Sequence, residues 1–178
     1  MSYYDDIYEL AADNYGVVTS KDALSIGVPN IDLVKMARRG QLDRLGYGVY
    51  RLARYFPTAF DKYAEAVALV GEGAYIYGES VLAMHGLALV NPMRITVAAP
   101  ARNRRKLPRF IEVIPAHDKA AATYYEGIRS QSVADAIRTC CGSVMPDRLL
   151  DAIGDARRQG LVTEAEAKLL KREIKNGR

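Results

Sequence analysis

The sequence lacks the features that mark membrane-spanning, secreted and metal-binding proteins. No apolar run among its 178 residues approaches the roughly 20 residues that span a bilayer. The two cysteines, Cys140 and Cys141, are adjacent, and chain neighbours rarely bridge each other or provide a recognisable metal-ligand spacing. The segment MSYYDDIYEL is acidic, with neither a basic region nor an apolar core, so we expect no signal peptide and a cytoplasmic location. We also expect no metal and no cofactor.

The composition is that of a globular protein, with 49% hydrophobic and 26% charged residues. A chain of this length forms one domain or two small ones. The net charge of +4 is small, but the charges are unevenly distributed. Residues 1–32 carry six carboxylates and one lysine, a net charge of −5, whereas residues 33–56 carry six cations and one carboxylate, a net charge of +5.

This asymmetry is typical of a domain with one positive and one acidic face, which would orient it on a polyanion. Two solvated surfaces of different sign are the alternative, and charge alone does not distinguish them.

Three short helices are predicted in the first 40 residues. The first covers residues 3–14, the second begins at the capping pattern Thr19–Asp22 and ends at Gly27, and the third runs from Asn30, as its N-cap, to Arg39. Helical spacing predicts the inward-facing residues of the three helices: Tyr4, Ile7, Tyr8 and Ala11; Ala23, Leu24 and Ile26; Leu33, Met36 and Ala37.

The stretch RRGQLDRLGYGVYRL, residues 38–52, follows these helices and predicts a glycine-ended helix and a two-stranded ribbon. Apolar residues alternate along both strands, and Gly46–Gly48 forms the turn between them. Three helices followed by such a ribbon are typical of a winged helix-turn-helix, here covering residues 1–56. That fold binds DNA, with its third helix in the major groove, but it is also used as a protein-binding module.

Eight residues are candidates for DNA contact. The start of the third helix places three polar side chains near base edges: Asn30, Asp32 and Lys35. Tyr47 at the ribbon tip is suited to the DNA backbone or a minor groove. The arginines of the helix end and the ribbon are suited to phosphates: Arg38, Arg39, Arg44 and Arg51. Helix capping by Asn30 and complementation of the helix dipole by Asp32 are the structural alternatives.

Residues 57–178 are predicted to form a mixed α/β domain with a small sheet covered by helices, so the fold class is α+β. The first predicted helix is capped by Thr58 and runs to Val70, and the others cover residues 79–85, 132–141, 146–158 and 163–175. The predicted strands are 74–77, 94–98, 109–114 and 122–129.

Candidate catalytic groups in the second domain are few, and we expect no enzyme. Ser80 and His85 lack the second glycine of a nucleophile elbow, and we interpret Ser80 as a helix N-cap and His85 as a favourable positive charge at a helix end. A nuclease site needs Glu-x-Lys on a strand, but Ile114 stands two residues after Glu112. His117 and Asp118 have no metal-ligand partner at a recognisable spacing.

The densest basic run of the chain is Arg102-Asn103-Arg104-Arg105-Lys106. Its cations Arg102, Arg104, Arg105 and Lys106 form a candidate second basic surface. It would contact a second phosphate or another macromolecule; a solvated loop is the structural alternative.

The winged segment ending in RRGQLDRLGYGVYRL, followed by YGESVLAMHGL, a proline and RITVAAP, resembles the AbiEi antitoxins of type IV toxin–antitoxin systems. The resemblance is strongest at residues 16–52 and 74–98. It implies an autorepressor whose winged helix binds inverted repeats in double-stranded DNA ahead of its own operon. It also implies a C-terminal domain that counteracts a nucleotidyltransferase-like toxin, without requiring a stable complex, and the basic run over residues 102–106 would then face the toxin or its RNA target.

Two other functions stay open. One is a winged-helix transcription regulator whose C-terminal domain senses a ligand or forms dimers, with no toxin. The other is a nuclease-like enzyme, and this is the weakest of the three hypotheses because the strand lacks the lysine that such a site needs.

Overall fold

The structure, a computed structural model, describes residues 2–116 and 122–177, and His117 and Asp118 lie outside the described residues. The chain divides into two compact units: Met1–Glu72 with Asn103–Pro108, and Gly73–Arg102 with Arg109–Arg178. The division into a DNA-binding domain over 1–56 and an antitoxin domain over 57–178 concerns function and stays a prediction. No helix in the described part of the chain combines the length and apolar character needed to cross a membrane.

The first unit is a winged helix-turn-helix followed by a fourth helix. Its elements are α1 (Tyr3–Ala12), β1 (Val17–Thr19), α2 (Ser20–Ser25), α3 (Asn30–Arg38), β2 (Leu42–Gly46), β3 (Val49–Leu52) and α4 (Asp61–Val70). Strand β3 lies between β1 and β2 and is antiparallel to both. Tyr47 and Gly48 form the turn of the wing. The winged helix predicted from the sequence is confirmed.

The core of this unit lies between the three helices and one face of the sheet. It contains Ile7, Ala11, Val18, Ala23, Val28, Leu33, Met36, Leu42, Tyr50 and Leu52. Three predicted core residues are wrong, because Tyr8, Leu24 and Ile26 are 47%, 68% and 43% exposed. Helix α2 has only six residues and presents Ala23 inward, and the core position after it is filled by Val28, beyond the turn.

The opposite face of the wing sheet is covered by α4. Arg51 of β3 donates to Glu65 of α4 at 2.7 Å, and Gly46 lies so close to Leu69 that an added Cβ would approach Leu69 Cδ2 to 2.6 Å. Thr58 donates from its backbone N–H and its hydroxyl to the Asp61 carboxylate, but Phe60 is the N-cap, so this helix begins two residues later than predicted. Helix α4 therefore completes the first unit.

The second unit is a five-stranded mixed sheet with helices. Its elements are β4 (Tyr75–Ile76), α5 (Glu79–Met84), β5 (Ile95–Ala99), β6 (Ile111–Pro115), β7 (Ala122–Tyr125), β8 (Ile128–Gln131), α6 (Val133–Thr139), α7 (Pro146–Arg158) and α8 (Glu164–Lys175). The strand order is β6-β5-β4-β8-β7, with β4–β5 and β7–β8 antiparallel and the other two pairs parallel.

The α+β fold class is thereby confirmed. The single strand expected over residues 122–129 is wrong, because Glu126 and Gly127 adopt positive φ angles and turn the chain into the hairpin β7–β8.

Two buried polar side chains connect the elements of the second unit. Ser80 is fully buried, and its Oγ accepts a hydrogen bond from the Thr96 backbone N–H at 2.8 Å. The prediction that Ser80 is an N-cap is therefore wrong: Gly78 is the N-cap of α5, and the hydroxyl joins α5 to β5. Gln131 Oε1 accepts from the Gly78 N–H at 3.0 Å, and its Nε2 donates to Thr139 Oγ1 at 2.9 Å.

Candidate nucleic-acid interface

Helix α3 presents an exposed stripe opposite its buried face. Leu33 and Met36 point into the core, whereas Ile31, Lys35 and Arg38 are exposed. At about 100° per residue these three lie within roughly 60° of one another, on the side of the helix away from Leu33. Ile31 is 58% exposed in the first turn. An exposed stripe of one apolar and two cationic side chains on a short helix is suited to contacts in a major groove.

Ser20 holds the start of α3 and the wing turn in a fixed relation. Its backbone N–H donates to the Gly48 carbonyl at 2.8 Å, and its hydroxyl donates to Asn30 Oδ1 at 2.8 Å. Ser20 itself begins α2, directly after its N-cap Thr19, in the Thr19–Asp22 capping box that the sequence predicted. One residue thus contacts both the helix that would enter the groove and the wing beside it.

The three predicted base-contact residues are close together but already have protein partners. Lys35 Nζ lies 3.0 Å from Asp32 Oδ1. Asn30 is the first residue of α3 rather than its side-chain cap, since Pro29 occupies the N-cap position and the Asn30 amide oxygen accepts from Ser20. The amide nitrogen of Asn30 is therefore the part of its side chain better placed to meet a base acceptor.

The four arginines assigned to phosphate contact fall into two groups. Arg38, Arg39 and Arg44 are exposed, and within residues 2–116 and 122–177 no carboxylate lies within 4.0 Å of their guanidinium groups. Arg44 Nε donates to the Gly46 carbonyl at 3.3 Å, which directs it along the wing. Arg51, by contrast, lies 2.7 Å from Glu65 and 3.7 Å from Asp43. The first group has positive charge available for an anionic ligand.

The tip of the wing lies beside part of the basic run. Tyr47 is 77% exposed, and the guanidinium carbon of Arg105 lies 5.9 Å from the centroid of its ring. Arg104, Arg105 and Lys106 belong to the first unit, through the segment Asn103–Pro108, and all three are exposed. Arg102 belongs to the second unit and is also exposed.

Two titratable groups of the second unit, His85 and Cys140, have pKa values shifted by burial. Burial lowers the pKa of His85 to about 4, so the ring is neutral near pH 7, and it packs 3.8 Å from the Tyr125 ring. The prediction that His85 supplies positive charge at a helix end is therefore wrong. Burial, followed by the nearby Glu79 carboxylate, raises the pKa of Cys140 to about 12, so its thiol is protonated.

A cleft of about 660 Å³ opens in the second unit between α5, β5, β6 and α6. Its lining includes acidic, basic and apolar side chains: Tyr77, Glu79, Arg94, Glu112, Ile114 and Cys140. Among the residues that the structure describes, no group of three or more His, Cys, Asp or Glu side chains is arranged to hold a metal ion. The mixed polar and apolar lining makes the cleft a candidate site for a small polar molecule.

Sequence reasoning missed two residues of this interface. Ile31 was detectable, because an apolar side chain on the side of a short helix opposite Leu33 has no core to enter. The double role of Ser20 was not detectable, since its partners Asn30 and Gly48 lie 10 and 28 positions along the chain.

One comparison with known proteins gives a match, and it lies within the first unit. No curated protein matches the chain. A family model described as "Transcriptional regulator, AbiEi antitoxin" matches residues 5–53, which run from α1 through the end of the wing. This is the same segment that carries the exposed stripe of α3, the wing turn and the unpaired arginines. The N-terminal segment of the chain is thus similar to the AbiEi antitoxin family of transcriptional regulators.

Proposed function

We propose that this protein is an antitoxin and transcriptional autorepressor of a type IV toxin–antitoxin system, acting in the cytoplasm. Its winged helix binds inverted repeats in the double-stranded DNA of its own promoter, and its C-terminal half counteracts a nucleotidyltransferase-like toxin. The observation that carries the DNA-binding part is the exposed stripe Ile31, Lys35 and Arg38 on α3, opposite a fully buried face and fixed to the wing through Ser20.

The exposed residues of the interface have the following roles in this proposal. Ile31 contacts a thymine methyl group, Lys35 exchanges its contact with Asp32 for a guanine edge, and the Asn30 amide nitrogen donates to a base acceptor. Three arginines and the wing-tip tyrosine contact the DNA backbone: Arg38, Arg39, Arg44 and Tyr47. Arg51 contributes less to DNA affinity, because its guanidinium is held by Glu65 and Asp43.

DNA binding is tested with the full chain and a labelled duplex from the region upstream of its gene, against a shuffled duplex. The variant Arg38→Ala/Arg39→Ala removes two adjacent exposed cations of α3 and its C-cap. Lys171→Ala/Arg172→Ala removes two adjacent exposed cations of α8 and is the matched control. We expect the first variant to reduce the slope of log affinity against log salt by about 1.8, and the control to leave it unchanged. Equal slopes for all three proteins would reject docking through α3.

Antitoxin activity is tested by inducing the neighbouring gene in a tolerant host, alone and with the full chain. We expect the full chain and Arg38→Ala/Arg39→Ala both to restore growth, while only the full chain represses a reporter driven by the upstream region. A harmless neighbour, or no rescue by either protein, would reject the antitoxin role.

The cleft lined by Glu79, Arg94 and Glu112 favours a second candidate, a winged-helix regulator whose C-terminal half senses a small polar ligand. It makes a different prediction for the same experiment. Repression would occur, but no neighbouring gene would be toxic, and DNA affinity would change when the ligand is added. In the alternative in which the C-terminal half forms dimers, repression would depend on the oligomeric state of the protein instead of on a ligand.

A further inference from the structure

The segment Asn103–Lys106 is fixed against the end of α4. Asn103 Nδ2 donates to the Val70 carbonyl at 3.2 Å, and its Oδ1 accepts from the Arg105 backbone N–H at 2.7 Å. Arg105 Nη1 donates to the Leu69 carbonyl at 3.3 Å. These carbonyls belong to the last turn of the helix, where a positive charge is favoured by the helix dipole. The course of this loop is therefore set by three hydrogen bonds and is not that of a freely solvated loop.

Arg105 also lies against the wing. Its guanidinium carbon is 5.9 Å from the Tyr47 ring centroid, within the range of a cation–π contact. A Cβ added at Gly71 would come within 3.3 Å of Arg105 Nη1, so the glycine leaves room for this guanidinium. Arg105 thus spans from the end of α4 to the wing tip and restricts where the Tyr47 ring can lie.

The neighbouring cations remain free for a ligand. Arg104 and Lys106 are exposed on either side of Arg105, and in the described part of the chain none of the three forms an ion pair with a carboxylate. Glu72, shortly after α4, is paired with Lys21 at 2.9 Å. Three consecutive cations therefore lie beside a wing tip, the element of a winged helix that follows the DNA backbone.

We propose that Arg104 and Lys106 form a second phosphate-binding surface beside the wing, and that Arg105 is a positioning residue that holds Tyr47 for its DNA contact. This inference rests on the proposed DNA-binding function and extends the interface to residues more than fifty positions beyond the winged segment. The ligand is the phosphate backbone of the same duplex, flanking the sequence read by α3.

The phosphate role is tested by measuring the affinity of the full chain for the upstream duplex between about 50 and 200 mM salt. Arg104→Ala/Lys106→Ala removes two charges, and Lys171→Ala/Arg172→Ala removes two charges from α8 as the control. We expect the loop variant to reduce the salt slope by about 1.8 and to weaken binding roughly 10- to 60-fold near 0.1 M salt, with little effect of the control. A loop variant that binds like the control would overturn the proposal.

The positioning role is tested with a reporter at the wing tip. The sequence contains no tryptophan, so Tyr47→Trp introduces a single indole whose fluorescence reports on that site alone. We expect Arg105→Ala, made in this background, to lower the anisotropy of the indole in the free protein, and Arg105→Lys to restore part of it. We also expect Arg105→Ala to weaken DNA binding more than Arg104→Ala does. Unchanged anisotropy in Arg105→Ala would overturn the positioning role.

The same measurements separate this inference from the function on which it rests. If the unsubstituted chain does not distinguish the upstream duplex from the shuffled one, the proposed function fails. If it does, and Arg38→Ala/Arg39→Ala reduces the slope whereas Arg104→Ala/Lys106→Ala does not, only the second surface fails.

Discussion

Replacement by alanine is expected to lower the stability of the fold at Arg51, but to lower DNA binding at the pair Arg38 and Arg39. Arg51 Nη1 lies 2.7 Å from the carboxylate of Glu65, whose side chain is only 13% exposed, so Arg51→Ala leaves that carboxylate partly buried and unpaired. Two charges about 4 Å apart attract by roughly 4 kcal/mol at an effective dielectric constant of about 20, before desolvation is subtracted. Because the Arg51 side chain is 37% exposed, solvent screening reduces the net loss to about 1–2 kcal/mol.

The exposed pair makes no such contact within the described residues. Replacing Arg38 and Arg39 by alanine in the last turn of α3 should therefore change stability by less than about 0.5 kcal/mol. Its effect should appear in DNA binding, as the loss of about 1.8 from the salt slope. Arg51→Ala should leave that slope nearly unchanged.

Urea denaturation followed by far-UV circular dichroism, together with the salt titration, measures both effects. A second substitution, Glu65→Gln, provides the control: in the Arg51→Ala background it should recover part of the lost stability, because the unpaired carboxylate is removed. The reasoning is refuted if Arg51→Ala keeps the urea midpoint of the unsubstituted chain and lowers the salt slope by about 0.9, the value for one phosphate contact. Arg51 would then be a phosphate ligand, and its ion pair with Glu65 would contribute nothing to the fold.

Three further outcomes are expected. Ile31→Ser should reduce the free energy of binding to the operator by about 1 kcal/mol. Replacing operator thymines by uracil should weaken DNA binding by the unsubstituted chain but not by this variant, as measured by competition binding. Gly16→Ala should destabilise the first unit by about 2–4 kcal/mol in urea, because φ is +72° and the new Cβ would lie 2.6 Å from Tyr55 Cγ, whereas Gly27→Ala, with φ at +81° and no neighbour within 4 Å, should cost only about 1 kcal/mol. Burial lowers the pKa of His85 to about 4, so the unfolded chain binds the proton at a higher pH than the folded chain does. The free energy of unfolding should therefore fall by about 1–2 kcal/mol as the pH drops from about 6.5 to 4. His85→Phe should remove this pH-dependent part from the urea midpoints.

The parts of the fold that could be predicted are those whose cause lies within a few residues. Thr19 and Asp22, and likewise Thr163 and Glu166, form the capping boxes that their spacing indicates. The alternation of apolar residues on either side of Gly46–Gly48 specifies the wing for the same reason, since both the turn and the strand register are local properties. Local chemistry of this kind is readable without a structure.

The parts that could not be predicted depend on distant partners. The sequence places Arg51 among the cations of the ribbon, but nothing near it indicates that Glu65, fourteen positions later, takes up its charge. The run from Arg102 to Lys106 is likewise a plain basic loop until Leu69 and Val70 provide its acceptors. Helical spacing also could not reveal that α2 is too short to bury Leu24, because burial depends on what packs against each face.

The composition of the first unit determines how the two proposed activities can be separated experimentally. Helix α4 buries Tyr63, Leu69 and Val70, and it holds both the wing sheet and the loop that contains Arg105. A chain cut between residues 56 and 57 would expose the wing face that α4 covers and would remove Arg105 from Tyr47. Weak DNA binding by such an N-terminal fragment would then report the loss of α4 and the loop rather than a flaw in α3. Substitutions of exposed side chains in the full chain leave that packing intact, so they are the perturbations that assign repression to the winged surface.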